Sequence, residues 1–333
     1  MSRPDDLLTL IAGMATAEQF RSFLKAHNAP SSGTKEELFE RGSAALLAGR
    51  FSEDDLLALL RDMEEFGHQH VFLYWRAGRA SAVPTPDVLE EWLVRNAAGT
   101  VLRRPRLLDL PERPTIVDAR YESSDAGNVL VVKVVETRVY EHLVETEEIS
   151  RDRYKRTYER EAARAVNVIR VRPDGLAEVR LYSHKGGSQR YDDTLDTVWG
   201  MLAGLLDRAQ FNRAVLSNAK RRLYEERQLL DGVIHFAGDD LGNAGGISCE
   251  LASGRHTNLF SDPDTERSIA AFTAGGNAFH QSLNLYWLAQ KSGTPAKDTH
   301  VLLRGEPNEF SVSQRCGAAT YEHILNDVLR YNS

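Results

Sequence analysis

The clearest chemistry in this sequence lies at the start of a helix. Gly33, Thr34 and Lys35 follow Pro30, Ser31 and Ser32. A glycine there lets the backbone come close to an anion, and the free N–H groups of a helix's first turn point outward as anion ligands. Ser32 and Thr34 add hydroxyl donors. Lys35 places a positive charge at the same spot, and Lys25 reaches that surface from the preceding helix. This is phosphate chemistry, which positions a protein on a nucleic acid but reads little sequence.

A second candidate is the middle of the chain. Residues 151–190 hold eleven bases against five acids, with Tyr154, Tyr158 and Tyr182 among them and Tyr191 directly after. Bases interleaved with aromatics grip a phosphate backbone and stack on exposed bases. Arg153, Lys155 and Arg156 carry the densest positive charge. His184 to Arg190 reads as a basic glycine-containing loop, with Lys185 and Arg190 as its contacts. The competing reading is a solvated charged face.

The stretch from Phe23 to Arg41 resembles the SAP motif, in which two helices are joined by a short extended linker. The resemblance rests on Gly33, Lys35, Leu38 and Arg41, with Pro30 in the linker. It implies contact with duplex DNA at weak sequence preference. Two features depart from it. Gly42 stands where the motif usually has Leu, and is expected to loosen the second helix. Residues 1–66 also carry seven bases against twelve acids. The alternative is a small helical bundle that docks a protein partner.

Catalytic patterns are sparse. His68 and His70 would share a strand face and could begin a metal site. Asp239 and Asp240, with Gly238, Gly242 and Asn243, read as a polar loop in which a turn explains the residue types as well as Mg²⁺ does. No phosphate-binding loop, dinucleotide fingerprint or nucleophile elbow is present. Cys249 and Cys316 have no local partner pattern that marks a nucleophile. No catalytic residue, metal or cofactor is assigned, and the reading leans away from an enzyme. A nuclease with dispersed acidic ligands remains the catalytic alternative.

The elements that must position these residues follow from periodicity. Residues 4–66 read as helices: Phe20, Phe23 and Leu24 lie on one face, turn formers break the chain at 28–33, and Ser52 caps a helix rich in leucine. Residues 68–75 are a short apolar run that periodicity leaves open between strand and helix. Strands are predicted at 115–121, 128–140, 166–171 and 176–182, with hairpin turns at 124–127 and at Pro173-Asp174-Gly175. The charged block Glu141–Arg164 is compatible with a helix. A long helical segment is predicted over 193–229. Strands then follow at 232–237, 282–290, 298–304 and 308–315, and a last helix at 319–330.

The chain has 333 residues, a net charge of −7 and two cysteines. It has the composition of a globular protein with an ordinary core. Few thiols fit a reducing compartment, and no apolar run approaches a membrane span. The fold class expected is α+β: a small N-terminal helical SAP-like module followed by mixed antiparallel sheet and helices. Three segments are expected: 1–66, 67–230 with the basic middle, and 231–333. The function expected is a non-enzymatic, intracellular, cytoplasmic or nucleoid-associated protein on duplex DNA. The alternative is an adaptor subunit bound to a protein partner.

Overall fold

The computed structural model describes residues 3–78, 83–150, 153–184 and 191–333. Helices and antiparallel strands make it an α+β protein. Among the described residues, no helix is long and apolar enough to cross a membrane. Two compact units form. The first contains Met1–Leu56, Ala80–Gly175 and His184–Arg208; the second contains Leu57–Arg79, Leu176–Ser183 and Ala209–Ser333. Each unit is therefore discontinuous along the chain.

The first unit opens with helices α1 (Arg3–Met14), α2 (Ala17–Ala26) and α3 (Lys35–Leu47). Thr16 caps α2 reciprocally with Gln19, and Thr34 caps α3 reciprocally with Glu37. Such a box satisfies helix N–H groups that otherwise lack partners. Phe20 and Leu24 are fully buried, and Phe20 stacks on Phe39 with ring centroids 4.0 Å apart. Gly42 is what admits that ring: a Cβ there would lie 2.7 Å from the Phe20 ring. The glycine expected to loosen α3 is thus a packing residue.

Helix α4 (Glu53–Glu65) begins in the first unit's chain and ends in the second's. Helices α5 (Pro86–Arg95) and α6 (Asp192–Met201) complete the first unit's helices, and the buried Trp92 of α5 donates to the Ala203 carbonyl at 3.0 Å. Its sheet joins β2 (Thr115–Ser124), β3 (Gly127–Ser150) and β4 (Arg153–Val171), all antiparallel. Ser124 pairs with Gly127, so the expected turn forms with Asp125 and Ala126 at its tip. One face buries Val117, Val129, Val131, Val135, Val166 and Val168.

The second unit is built on β1 (Gly67–Arg76), which settles the open reading of 68–75 as a strand. With β5 (Leu176–Tyr182), β6 (Phe211–Arg213), β7 (Ile234–Asn243), β8 (Ser248–Ala252), β9 (Ala278–Trp287), β10 (Thr299–Leu303) and β11 (Glu309–Arg315), it forms an antiparallel sheet ordered β5-β1-β11-β10-β9-β7-β8, in which β6 also pairs with β1. Helices α7 (Ser217–Glu225), α8 (Pro263–Thr273) and α9 (Ala318–Asn332) accompany the sheet. Leu216, Leu223, Ile324 and Val328 join Val71, Leu285, Trp287 and Phe310 in one buried cluster.

Three expectations are corrected. Glu141–Arg164 is not helical but the outer part of the β3–β4 hairpin. The long helix over 193–229 is two short ones, broken by turns in which Gly204 adopts φ +81° and by strand β6. A left-handed glycine ends a helix at little cost, whereas the apolar spacing around it still mimics a helical stripe. Asp239 to Asn243, expected as a loop, continue strand β7 between β8 and β9.

Candidate interaction surfaces

The N-terminal module places its predicted residues close together but fills the expected anion position itself. Gly33 adopts φ +112°, and Thr34 begins α3. The Glu37 carboxylate accepts from the Thr34 N–H at 2.9 Å, and the Glu37 N–H donates back to the Thr34 hydroxyl. A Cβ on Gly33 would collide with that same carboxylate. The glycine therefore leaves room for the chain's own acid. Arg41 donates to the Ser32 carbonyl and, at 2.6 Å, to its hydroxyl, while Arg21 donates to the Gly33 carbonyl at 3.3 Å. Two of the module's bases thus hold the linker in shape. Lys25 is exposed on α2 and Lys35 is half-buried at the start of α3.

The basic middle segment loses most of its positive excess once its partner strand is in place. Arg153, Lys155 and Arg156 sit at the distal end of β4, opposite Ser150, Glu147 and Thr146 of β3. Glu141 pairs with Arg160 at 2.9 Å, His142 with Glu161 at 3.1 Å and Lys155 with Glu147 at 3.8 Å. Residues 141–162 contain five bases and seven acids. The excess of positive charge belongs to one strand of a ribbon whose other strand carries the acids. Arg180, counted in the same basic run, is 1% exposed inside the second unit. Lys185 and Arg190 lie outside the described residues.

The ribbon is anchored at its root. Arg138 pairs with Glu136 at 2.7 Å, Asn167 donates to the same carboxylate at 3.1 Å, and Arg164 donates to the Leu108 carbonyl at 2.8 Å. Beyond that root, residues 141–149 and 153–162 are all exposed. Cross-strand partners share a face, and alternation along each strand fixes which. One face carries Val139 and Ala162, Glu141 and Arg160, Leu143 and Tyr158, and Thr146 and Arg156, then Glu148 and Tyr154. The Arg156 guanidinium lies 4.8 Å from the centre of the Tyr154 ring. The opposite face carries Tyr140, His142, Glu145, Glu147, Lys155, Thr157, Glu159 and Glu161 and is mostly polar, while Val144 and Ile149, at the two register shifts, are exposed as well. Val139, Leu143, Tyr154 and Tyr158 are each at least half exposed.

The histidines and paired aspartates singled out from sequence have separate partners. His70 Nδ1 meets the Glu309 carboxylate at 2.5 Å, whereas His68 Nδ1 faces the Ser313 carbonyl at 3.3 Å. The buried Asp239 carboxylate receives His280 Nδ1 at 2.9 and 3.0 Å, and Asp240 accepts from the Ser282 hydroxyl. Neighbouring strand residues point to opposite faces, so Asp239 and Asp240 cannot share one ion. Among the described residues, no cluster of three or more His, Cys, Asp or Glu could hold a metal. Tyr224 packs on the His280 ring at 4.4 Å, and Lys220 donates to the Gln281 carbonyl at 2.6 Å, with burial lowering its ammonium pKa. An Asp–His pair is a general-base arrangement when its second nitrogen meets a substrate. Here the histidine side chain is 9% exposed and roofed by Tyr224, and the pair joins β7 to β9.

Sequence reasoning missed the densest polar cluster of the second unit. Arg180 of β5 donates to Glu178 at 3.0 and 2.6 Å and to the Glu65 carbonyl at 3.0 Å, and Tyr321 of α9 donates to Glu178 at 2.9 Å. The charges alternate with apolar residues on β5, which reads as an amphipathic strand with its polar side to water. Both sides are buried, the charged one included.

No protein-family model matches this sequence, and no curated protein matches it.

Proposed function

We propose that this chain works by association with another protein, as an interaction or adaptor subunit, and that the β3–β4 ribbon is its principal contact surface. One observation carries the reading: Val139, Leu143, Tyr154 and Tyr158 lie exposed on one face of a two-stranded ribbon whose charges are compensated from strand to strand. A two-stranded ribbon alone in water is marginally stable. Exposed apolar side chains gathered on one protruding element mark a contact site. Cross-linking tests the reading. Tyr158 replaced by p-benzoylphenylalanine is expected to give discrete protein adducts, and the same replacement at the exposed Leu229 is expected to give none. Equal yields at both positions, or none at either, would remove the ribbon as a contact surface.

The nucleic-acid reading has a narrower footing in Lys25, Lys35 and the flanking hydroxyls. With Glu37 on the Thr34 N–H and seven acids along residues 141–162, a phosphate backbone would meet a negative surface at both places. Labelled duplex DNA is expected to show no saturable shift, even at low salt. A shift that weakens steeply with salt and again in Lys35→Glu would return the first surface to nucleic acid.

A further inference from the structure

We infer that the occupant of the ribbon's apolar face is the same face of a second copy of this chain, packed about a two-fold axis that runs along the ribbon. The inference rests on the interaction reading above and names its partner. A closed pair of identical chains needs a surface complementary to itself under a two-fold rotation. Rotation about the ribbon's long axis keeps each rung level and lays β3 of one copy over β4 of the other. Glu141 then meets Arg160 of the second copy, and Arg160 meets its Glu141. Leu143 covers Tyr158, Val139 covers Ala162, and Thr146 meets Arg156, all by the rung pairing already described. No like charges oppose each other.

The other two-fold available to a face-to-face pair runs across the strands. Centred on the Leu143–Tyr158 rung, it would set Arg160 against Arg156 of the second copy and leave Glu141 facing Thr146. Centred between the Glu141 and Leu143 rungs it opposes no like charges but pairs no opposite ones, so the axis along the ribbon is the one that sets Glu141 against Arg160. The polar face, with Glu145, Glu147, Glu159 and Glu161 against Lys155, has no such self-complementarity and stays in water. A strongly charged partner gains little from the apolar face, because Glu141 and Arg160 already neutralise each other at 2.9 Å.

The contact strip is small. Its ten or so residues per copy place it at the low end of specific interfaces, so a dimer of roughly micromolar dissociation constant is expected. Sedimentation velocity on the full chain from about 1 to 100 µM reads it directly, with the expected range set by the same interface scale. The wild type is expected to shift from one to two chains across the series. Glu141→Arg and Arg160→Glu, each on a solvent-exposed rung, are expected to stay monomeric with unchanged circular dichroism. Mixed in equal amounts, these two variants are expected to dimerise, because the arginine introduced in one then opposes the glutamate introduced in the other. A wild type that remains monomeric throughout, or a dimer indifferent to both variants, overturns the inference. A monomeric wild type that still gives ribbon-specific adducts to a different protein overturns only the second-copy occupant and leaves the interaction reading in place.

Discussion

Arg180→Ala is expected to destabilise the second unit by about 3–5 kcal/mol, the range for removing one partner of a buried ion pair. Arg180 and Glu178 are 1% and 0% exposed, and Tyr321 is fully buried beside them. The guanidinium lies 3.9 Å from the centre of the Tyr321 ring and 5.4 Å from that of Phe66. Burial, the largest single influence, lowers the arginine's pKa; Glu178, Tyr321 and Glu322 together outweigh it, and the pKa is raised on balance. Burial likewise pushes the Tyr321 hydroxyl well above its ordinary value, keeping it a donor to Glu178. Alanine at 180 would leave the buried glutamate without its guanidinium partner, beside the Tyr321 hydroxyl. The double variant Glu178→Leu, Arg180→Met removes both charges, and is expected to lose far less than Arg180→Ala alone. Urea unfolding followed by tryptophan fluorescence compares them, since Trp287 lies in the same unit's core. A loss under about 1 kcal/mol for Arg180→Ala would mean that water reaches the pair.

Gly67→Ala is the second large effect. Gly67 sits at φ +79°, at a register shift between β1 and β11, with His68 at φ +54° beside it. A Cβ at Gly67 would lie 2.1 Å from the Gln314 carbonyl oxygen and 2.8 Å from both the Arg315 Cα and the Cys316 nitrogen. These are backbone atoms of a paired strand and its continuation, so they cannot rotate away. A loss of at least about 2–3 kcal/mol is expected, combining left-handed strain with displacement of the ladder. Gly49→Ala is the control. Gly49 also has a positive φ, +68°, but open space where a Cβ would go, and about 1 kcal/mol is expected there. Equal losses in the same denaturation series would show that the close approach adds nothing to the strain.

Much of the secondary structure was legible because its causes are local. The turn at Asp125-Ala126, the hairpin signal at Asp174-Gly175 and the strands near 282–290, 298–304 and 308–315 follow from turn chemistry and alternation, and they form close to where they are expected. The α3 start shows how one local pattern holds two meanings. Thr34, Lys35, Glu36 and Glu37 read as an anion site through the lysine and as a capping box through the glutamate. The glutamate prevails because it is tethered three residues away and needs no binding step. The Glu141–Arg164 block failed as a helix because charge density sets neither period. Cross-strand ion pairs stabilise a ribbon as i,i+4 pairs stabilise a helix.

The amino-acid sequence by itself determined the α+β composition, the capped helices of the N-terminal module and the turns, since each depends on residues a few positions apart. Tertiary structure decided which charges face water. Val71 of β1 is flanked by Arg180 on one side and Phe310 on the other, and that pairing carries the β5 ion pair into the interior. The same non-local pairing sets the acids of β3 beside the bases of β4 and offsets most of a positive segment. Burial and neutralisation depend on which strands meet. Strand pairing is chosen by the burial of whole faces across long chain separations, which no window of neighbouring residues contains.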